Sequence, residues 1–394
     1  MENKIKIAIY SGSIPSTTFI ERLIWGLSNK GNQVYLFGFR KKKVKYNSYI
    51  TSITYNNTKF HKSLYLLKYT LLLMLFKRKD KQKLDTILNL KSQNTLLDRI
   101  KCYPVLWCKP DIFHVQWAKN IEYWSWVQEF NMKLVLSLRG AHINYSPIAD
   151  PMLADMYRRN FPNIDRFHAV SKAIAHEALQ YGAPFENIDV VYSGLDLKTF
   201  KNVTEKKELS FNIVSIGRAH WKKGYNYALD ACSFLKERKI PFTYTIVGTE
   251  GYLELVYQIK DLGLQDHVIL LNTLSPEAVK KILKEASVLL LPSVEEGIAN
   301  VVLEAMASGT IVLTTNCGGM EEVVKNDVNG FVCPIRDSNA IAEQIMKIRE
   351  LPDEEKKRII DQAKNTIEKQ HTENQMVKGM LDLYMNAMKK NKHE

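Results

Sequence analysis

Cysteine is scarce and unpatterned in this chain. Its five cysteines among 394 residues are odd in number and form no C-x2-C pair, so neither a disulfide framework nor a zinc site is indicated. Cys102, Cys108, Cys232, Cys317 and Cys333 therefore read as reduced core thiols. The second half contains no D-x-D carboxylate pair of the kind that holds magnesium against phosphates, and no metal site is expected. Gly and Pro are present at ordinary levels, 18 and 12, which with 45% hydrophobic residues argues against disorder and collagen-like order. There is no repeat short enough for a solenoid. The opening residues, MENKIKIAIYSGS, enter an apolar β-rich run with no h-region or cleavage site, which predicts no secretory signal and a cytoplasmic location.

What is abundant is positive charge, and it is unevenly placed. The net charge is +13, but residues 1–200 hold 29 Lys and Arg against 15 Asp and Glu, whereas residues 201–394 hold 26 against 27. Between Arg40 and Lys83, 13 basic residues face one acid, Asp80, and surround the apolar stretch Ser63–Phe76. That stretch is too short to span a bilayer and carries Lys68 near its middle. Two readings stay open: a segment drawn to an anionic membrane surface through residues 40–83, giving a peripheral protein on the inner face, or a buried helix with a solvated basic collar. Nucleic acid is not expected as a partner, since no recognition motif accompanies the charge.

Short continuous apolar runs recur along the chain, separated by helical patterns. KIKIAIY, QVYLFGF, DIFHVQW and KLVLSL come first, then FNIVSIG, FTYTIVG, HVILL, VLLLPS and TIVLTT. Runs of this kind are strands buried on both faces of parallel sheets, and two sets in series predict an α/β chain of two Rossmann-like, doubly wound domains. The boundary is expected near 205, in the charged stretch Lys201–Leu209, giving domains 1–204 and 205–370. The last helical pattern, with Met376, Met380, Leu383 and Ala387 at helix spacing, marks a C-terminal helix.

Ligands of open parallel sheets gather at the carboxyl ends of strands, where helix N-termini present free N–H groups. In FNIVSIGRAHWKKG, Gly217 permits close backbone approach, and Arg218 and Lys223 are two cations suited to a diphosphate. A turn with a surface cation has the same local appearance. In PSVEEGIANVVLEAMASG, Glu296 can accept sugar hydroxyls, and the backbone of Gly297, Ile298, Ala299 and Asn300 faces the helix start. Glu304, further along that helix, is placed to receive ribose hydroxyls. The bland alternative makes these acids solvated turn and helix-surface residues.

The segment from Glu296 to Gly309 resembles the E-x7-E element of glycosyltransferase family 4, retaining enzymes with the GT-B fold, two Rossmann-like domains facing a central cleft. Gly217-Arg218 with Lys223-Gly224 resembles that family's G-R-x4-K-G diphosphate loop, IVGTEG (Gly248, Glu250) its nucleotide-side loop, and CGGMEEVV its G-G-x-x-E element. SIPSTTFIERLIWGLSNKGNQV, PDIFHVQWA, VSKAIAHEALQYGAP and VVYSGLDLKTF resemble the family's first half, so the similarity spans essentially the whole length.

The resemblance implies transfer of a hexose-type sugar, with retention, from a UDP- or GDP-linked donor to a hydroxyl of a glycan or lipid-linked glycan in surface polysaccharide assembly. It implies no cofactor and no metal. Glu296 would contact the donor sugar, Glu304 the ribose, and Arg218 and Lys223 the departing diphosphate, whose developing charge preorganised cations stabilise. Ser11-Gly12-Ser13 would close on the phosphate from a helix start, although a plain N-cap is the alternative. The C-terminal helix, 371–390, would pack back on the first domain. Where the family often shows His-Gly, this chain has Ser137-Leu138-Arg139-Gly140-Ala141-His142. Three candidates for the imidazole's role therefore remain: His142, which is preferred as the catalytic group, and Arg139, as a cation, and His114, both expected on the acceptor side. A GT-B-type epimerase or phosphorylase, and a non-catalytic glycan-binding protein, are the rival readings.

Overall fold

The computed structural model describes residues 5–200 and 211–389. Its contacts group the chain into two units. One runs to Val170, continues through Ile174–Val191 and resumes at Glu373; the other comprises Ser171–Ala173 and Tyr192–Thr372. The expected linker near 205 lies outside the described residues. The division falls earlier, after Val191, because Leu195 and Phe200 are buried in the core of the second unit with Leu289, Leu303 and Met320.

The first unit is built on seven strands: β1 (Lys6–Ile14), β2 (Gln33–Arg40), β3 (Ile50–Tyr55), β4 (Ile112–Val115), β5 (Lys133–Leu138), β6 (Arg166–Ala169) and β7 (Ile188–Val190). Their order is β3-β2-β1-β4-β5-β6-β7, and every pairing is parallel. The second unit has β8 (Asn212–Ile216), β9 (Thr243–Val247), β10 (Val268–Leu271), β11 (Val288–Leu291), β12 (Ile311–Thr315) and β13 (Phe331–Cys333), ordered β10-β9-β8-β11-β12-β13, again all parallel. Each sheet reverses its direction of winding beside its first strand, at β1/β4 and at β8/β11. Crevices for ligands open at such points.

Helices cover both faces of each sheet. In the first unit, α1 (Thr18–Asn29) buries Ile20, Leu23, Ile24 and Leu27 against one face, with the C-terminal helix Glu373–Met388 beside it. On the other face lie α2 (Lys59–Phe76), α3 (Arg78–Leu90) and α4 (Leu96–Cys108), whose buried residues join a core around Phe113, Trp124 and Trp126. The C-terminal helix thus groups with the first unit, and Gly26 of α1 allows the close approach: a Cβ there would meet Val377 Cγ2 at 2.3 Å.

β1 is longer than its apolar run. Ser11-Gly12-Ser13 does not form a loop at a helix start; these residues continue the strand, with Gly12 opposite Gly38 and Ser13 opposite Phe39 after a bulge that follows Tyr10. Gly12 takes φ +87°, and a Cβ on the facing Gly38 would lie 2.8 Å from the Gly12 carbonyl oxygen. The helix begins only at Thr18, so the expected phosphate-closing role of Gly12 has no helix N-terminus behind it.

Candidate functional site

In the second unit, three loops at the carboxyl ends of neighbouring strands are tied to one another by backbone hydrogen bonds. The loop after β8 turns through Trp221–Lys223 and meets the loop after β11, where Val294 N–H donates to the Lys222 carbonyl at 2.7 Å. Gly224 at the turn has φ +63° and lies so close that a Cβ would stand 2.0 Å from the Pro292 carbonyl oxygen. The loop after β12 closes the other side. Gly319 N–H donates to the Gly297 carbonyl at 2.9 Å, and a Cβ on Gly318 would fall 1.8 Å from the Glu296 carbonyl oxygen. Side-chain contact between backbones has been given up at these positions for proximity.

Glu296 sits at the centre of this junction, 8% exposed. Lys223 Nζ lies 2.5 Å from its Oε1 and Lys222 Nζ 3.7 Å from its Oε2, while Ser293 Oγ donates to Oε1 at 3.3 Å. Burial pushes the carboxyl up, but the two ammonium groups and the hydrogen bonds from Lys223 and Ser293 outweigh it, leaving Glu296 below its ordinary value and ionised at neutral pH. Sequence reasoning missed Lys222. Its signal was the consecutive Trp-Lys-Lys in a tight 3-10 turn, which directs both lysines to one carboxylate.

Other expected donor-side residues surround this pair at varied depth. Arg218 is exposed in the same loop as Lys223. Gly217 N–H donates to the Val247 carbonyl at 3.0 Å, and Gly248, at φ +93°, approaches Gly217 so closely that a Cβ would lie 2.9 Å from its carbonyl oxygen. Glu250 is exposed just beyond, its N–H bound to the Leu271 carbonyl. Gly297 and Ala299 are buried and Ile298 is half-buried, leading into the helix Asn300–Ser308. Asn300 Oδ1 at the start of that helix is buried with no hydrogen-bond partner, an acceptor available to a donor from a ligand. Glu304 is half-buried one turn later. Lys223 and Glu296 are therefore brought into contact, whereas Arg218 and Glu304 stand nearby in sequence on the loop and helix that carry the pair.

In the first unit the three imidazole candidates separate. His114 is fully buried at the end of β4, and both ring nitrogens are engaged: Nδ1 with Tyr384 Oη and Nε2 with Ser137 Oγ, each at 2.8 Å. Ser137 Oγ in turn lies 2.8 Å from His168 Nδ1, and His168 Nε2 lies 2.9 Å from the Val191 carbonyl oxygen. A carbonyl only accepts, so the proton on His168 is on Nε2 and the chain runs one way: Tyr384 donates to His114, His114 to Ser137, Ser137 to His168, and His168 to Val191. Both imidazoles are neutral in this chain, and burial keeps both below their ordinary pKa. The expectation that His114 serves the acceptor side is corrected accordingly: it is a structural link to the C-terminal helix.

Arg139 lies with its guanidinium 4.6 Å from the Phe19 ring centroid and its Nη2 donating to Gln116 Oε1 at 2.9 Å; burial lowers its pKa to about 10. His142, in the short helix Ala141–Asn144, has its ring centroid 5.3 Å from that of Trp117, whose Nε1–H donates to the Ser11 carbonyl at 3.2 Å. These groups cluster at the carboxyl ends of β1, β4 and β5. Of the three candidates, only Arg139 and His142 are partly exposed.

Comparison with known proteins accords with both units. Residues 16–199 match the model of Glycosyltransferase Family 4 and residues 196–366 that of Glycosyl transferases group 1. The amylovoran biosynthesis glycosyltransferase of Erwinia amylovora is 31% identical over 55% of this chain and 55% of its own length. A putative colanic acid biosynthesis glycosyltransferase of Escherichia coli is 31% identical over 56% of each chain. The alignments thus span a little over half the length of these curated relatives. Among solved structures, Anabaena HepE in complex with UDP-glucose superposes with TM-score 0.71 at 18% identity, covering 96% of this chain and 99% of that one. A glycosyltransferase from Rickettsia africae gives 0.71 at 18% identity, with 99% and 100% covered. These likenesses show the two-domain α/β GT-B fold. With the two models matching in succession from residue 16 to residue 366, the chain belongs to the group 1 glycosyltransferases of family 4.

Proposed function

We propose that this chain transfers a sugar from a nucleoside-diphosphate sugar, UDP- or GDP-linked, to a hydroxyl of a glycan or lipid-linked glycan, with retention of configuration and without a metal ion. The observation that carries this reading is the Lys223–Glu296 pair, set among glycine-bearing loops at the carboxyl ends of β8, β9, β11 and β12. Cleavage of a glycosyl–phosphate bond places negative charge on the leaving diphosphate; Lys223 supplies a cation held in place before the reaction begins, and Arg218 a second from the same loop. Glu296, held ionised, accepts hydrogen bonds from the donor sugar and balances the lysines until the diphosphate arrives. Glu304 and the backbone at Gly248 and Glu250 serve the nucleoside.

The place of the reaction is surface polysaccharide assembly on the cytoplasmic side. The polysaccharide part of this reading is supported by the relatives from Erwinia amylovora and Escherichia coli, which are named for amylovoran and colanic acid biosynthesis. UDP-glucose bound to HepE supports the donor class.

The test is direct. Purified protein is incubated with UDP- and GDP-sugars and membrane-lipid acceptors in the presence of EDTA, while nucleoside diphosphate release and the anomeric configuration of the product are followed. Release that requires acceptor and survives EDTA is expected. Sugar interconversion without acceptor, dependence on inorganic phosphate, or loss of turnover in EDTA each count against the reading.

A further inference from the structure

The helix α2 is apolar on two opposite faces, and the fold uses only one of them. Tyr65, Leu66, Tyr69, Leu72 and Leu73 pack against the first-unit core. On the opposite side, Phe60, Leu64, Leu67, Leu71, Met74 and Leu75 recur at intervals of three and four and are 49% to 76% exposed. At helical rise they form a stripe about 22 Å long. A contiguous exposed apolar stripe of this length marks an interaction surface rather than scattered surface leucines.

Charge identifies what covers it. Lys59 and Lys68 flank the stripe, and Arg78 and Lys79 follow its end at the start of α3; all four are exposed. Lys41, Lys42 and Lys43, also exposed, leave the carboxyl end of β2, whose register sets Phe39 beside Tyr55, four residues before α2 begins. Within the span Arg40–Lys83 there are 13 basic residues and one acid. A partner must therefore offer dense negative charge at its surface and hydrocarbon immediately beneath. No helix among the described residues is long and apolar enough to cross a membrane.

We propose that α2 lies in the interface of an anionic phospholipid bilayer, with the Phe60–Leu75 stripe entering the headgroup–acyl boundary and Lys41–Lys43, Lys59, Lys68, Arg78 and Lys79 on the headgroups. This surface stands independently of the transfer reaction, since none of these residues belongs to the donor site.

Flotation of the full chain with vesicles tests it. Phosphatidylcholine vesicles containing phosphatidylglycerol should carry the protein at low salt, and phosphatidylcholine alone should not. The double variant Leu67→Gln/Leu71→Gln, which alters outward side chains only, should lose binding on the order of tenfold or more while keeping the wild-type melting temperature. Arg78→Glu/Lys79→Glu should lose a similar factor and flatten the salt dependence. The proposal is overturned if both variants float as wild type does, or if phosphatidylcholine alone binds equally. It is likewise overturned if the chain is a dimer in solution that Leu67→Gln/Leu71→Gln dissociates and that no vesicle recruits, because a second copy then covers the stripe.

Discussion

Lys223 Nζ and Glu296 Oε1 stand 2.5 Å apart in a nearly dry junction, so the cation expected to serve the phosphates is already paired with the carboxylate expected to serve the sugar. Lys222, 7% exposed, shares that carboxylate from 3.7 Å. The arrangement is unequal, with two cations and one anion, and its failure modes are unequal too. Glu296→Gln leaves the buried Lys222 and the largely buried Lys223 ammonium groups without a counter-charge and should cost about 3–5 kcal/mol of stability. Lys223→Met leaves Lys222 to pair with the carboxylate and should cost clearly less. Urea unfolding of the two variants measures both values; equal losses would show that Lys222 does not share the charge.

Activity should order the other way for the exposed cation. Arg218 bears on no core contact, so Arg218→Ala should melt with the wild type yet lose about 10²–10³ in kcat, the scale for removing one preorganised donor from a developing anion. Initial rates at saturating donor check this. A variant with unchanged kcat and raised KM would assign Arg218 to ground-state binding alone.

How much of this was legible beforehand depended on the range of the interactions. KLVLSL at Lys133–Leu138 coincides with β5 because a strand buried on both faces writes itself as a continuous apolar run. β6, four residues of Arg-Phe-His-Ala, does not: the burial of His168 is made tolerable by Ser137 and Val191, which no local pattern reveals. β3 was missed because it is an edge strand with Thr51 and Ser52 exposed. His114 looked available at a strand end because its partner, Tyr384, is 270 residues away. Ser11-Gly12-Ser13 has the composition of a turn, but the bulged pairing with β2 carries it on as strand. The Lys223–Glu296 contact, at 73 residues' separation, was anticipated as a shared site through motif resemblance rather than through local pattern, and its direct ion pairing emerged only with the fold.

The neutral histidine chain makes the first unit sensitive to acid. His168 is held to about 3 by burial and by the charge of Arg139, with the hydrogen bond to Val191 opposing, and His114 is lowered as well. In the unfolded chain both protonate near pH 6.5. For His168, between that value and about 3 the unfolded state binds more protons, so its contribution to stability is complete above pH 6.5 and falls as pH falls, by about 1.4 kcal/mol per pH unit, and the lowered His114 acts in the same direction. Urea midpoints at pH 7.5, 6.5 and 5.5 should show this. His168→Asn should be less stable at pH 7.5 but decline less steeply on acidification; parallel slopes would place the acid sensitivity elsewhere.

Two glycines with the same sign of φ should respond differently to alanine. Gly318 (φ +49°) would place a Cβ 1.8 Å from the Glu296 carbonyl oxygen, a backbone atom that has no rotamer by which to retreat. Gly251 (φ +71°) would place one in open space. Gly251→Ala should therefore cost only the left-handed strain of about 1–2 kcal/mol. Gly318→Ala should cost more and also reduce turnover, because the displaced carbonyl belongs to the residue that holds Lys223. Thermal melts and initial rates on the same preparations separate the two effects.

The C-terminal helix reaches α1 through a contact that admits a sign test. A methyl group on Gly26 would stand 2.3 Å from Val377 Cγ2, a side chain that is 1% exposed and hemmed in by its own core. Gly26→Ala should therefore destabilise by about 1–3 kcal/mol through overpacking, even though alanine is the better helix former. Val377→Ala alone should also destabilise, by leaving a cavity. Combined, the new methyl occupies the space the valine vacates, so the double variant should be more stable than the sum of the single losses by about 1 kcal/mol or more. Purely additive losses in urea unfolding would mean that the helix shifts away from α1 instead of meeting it here.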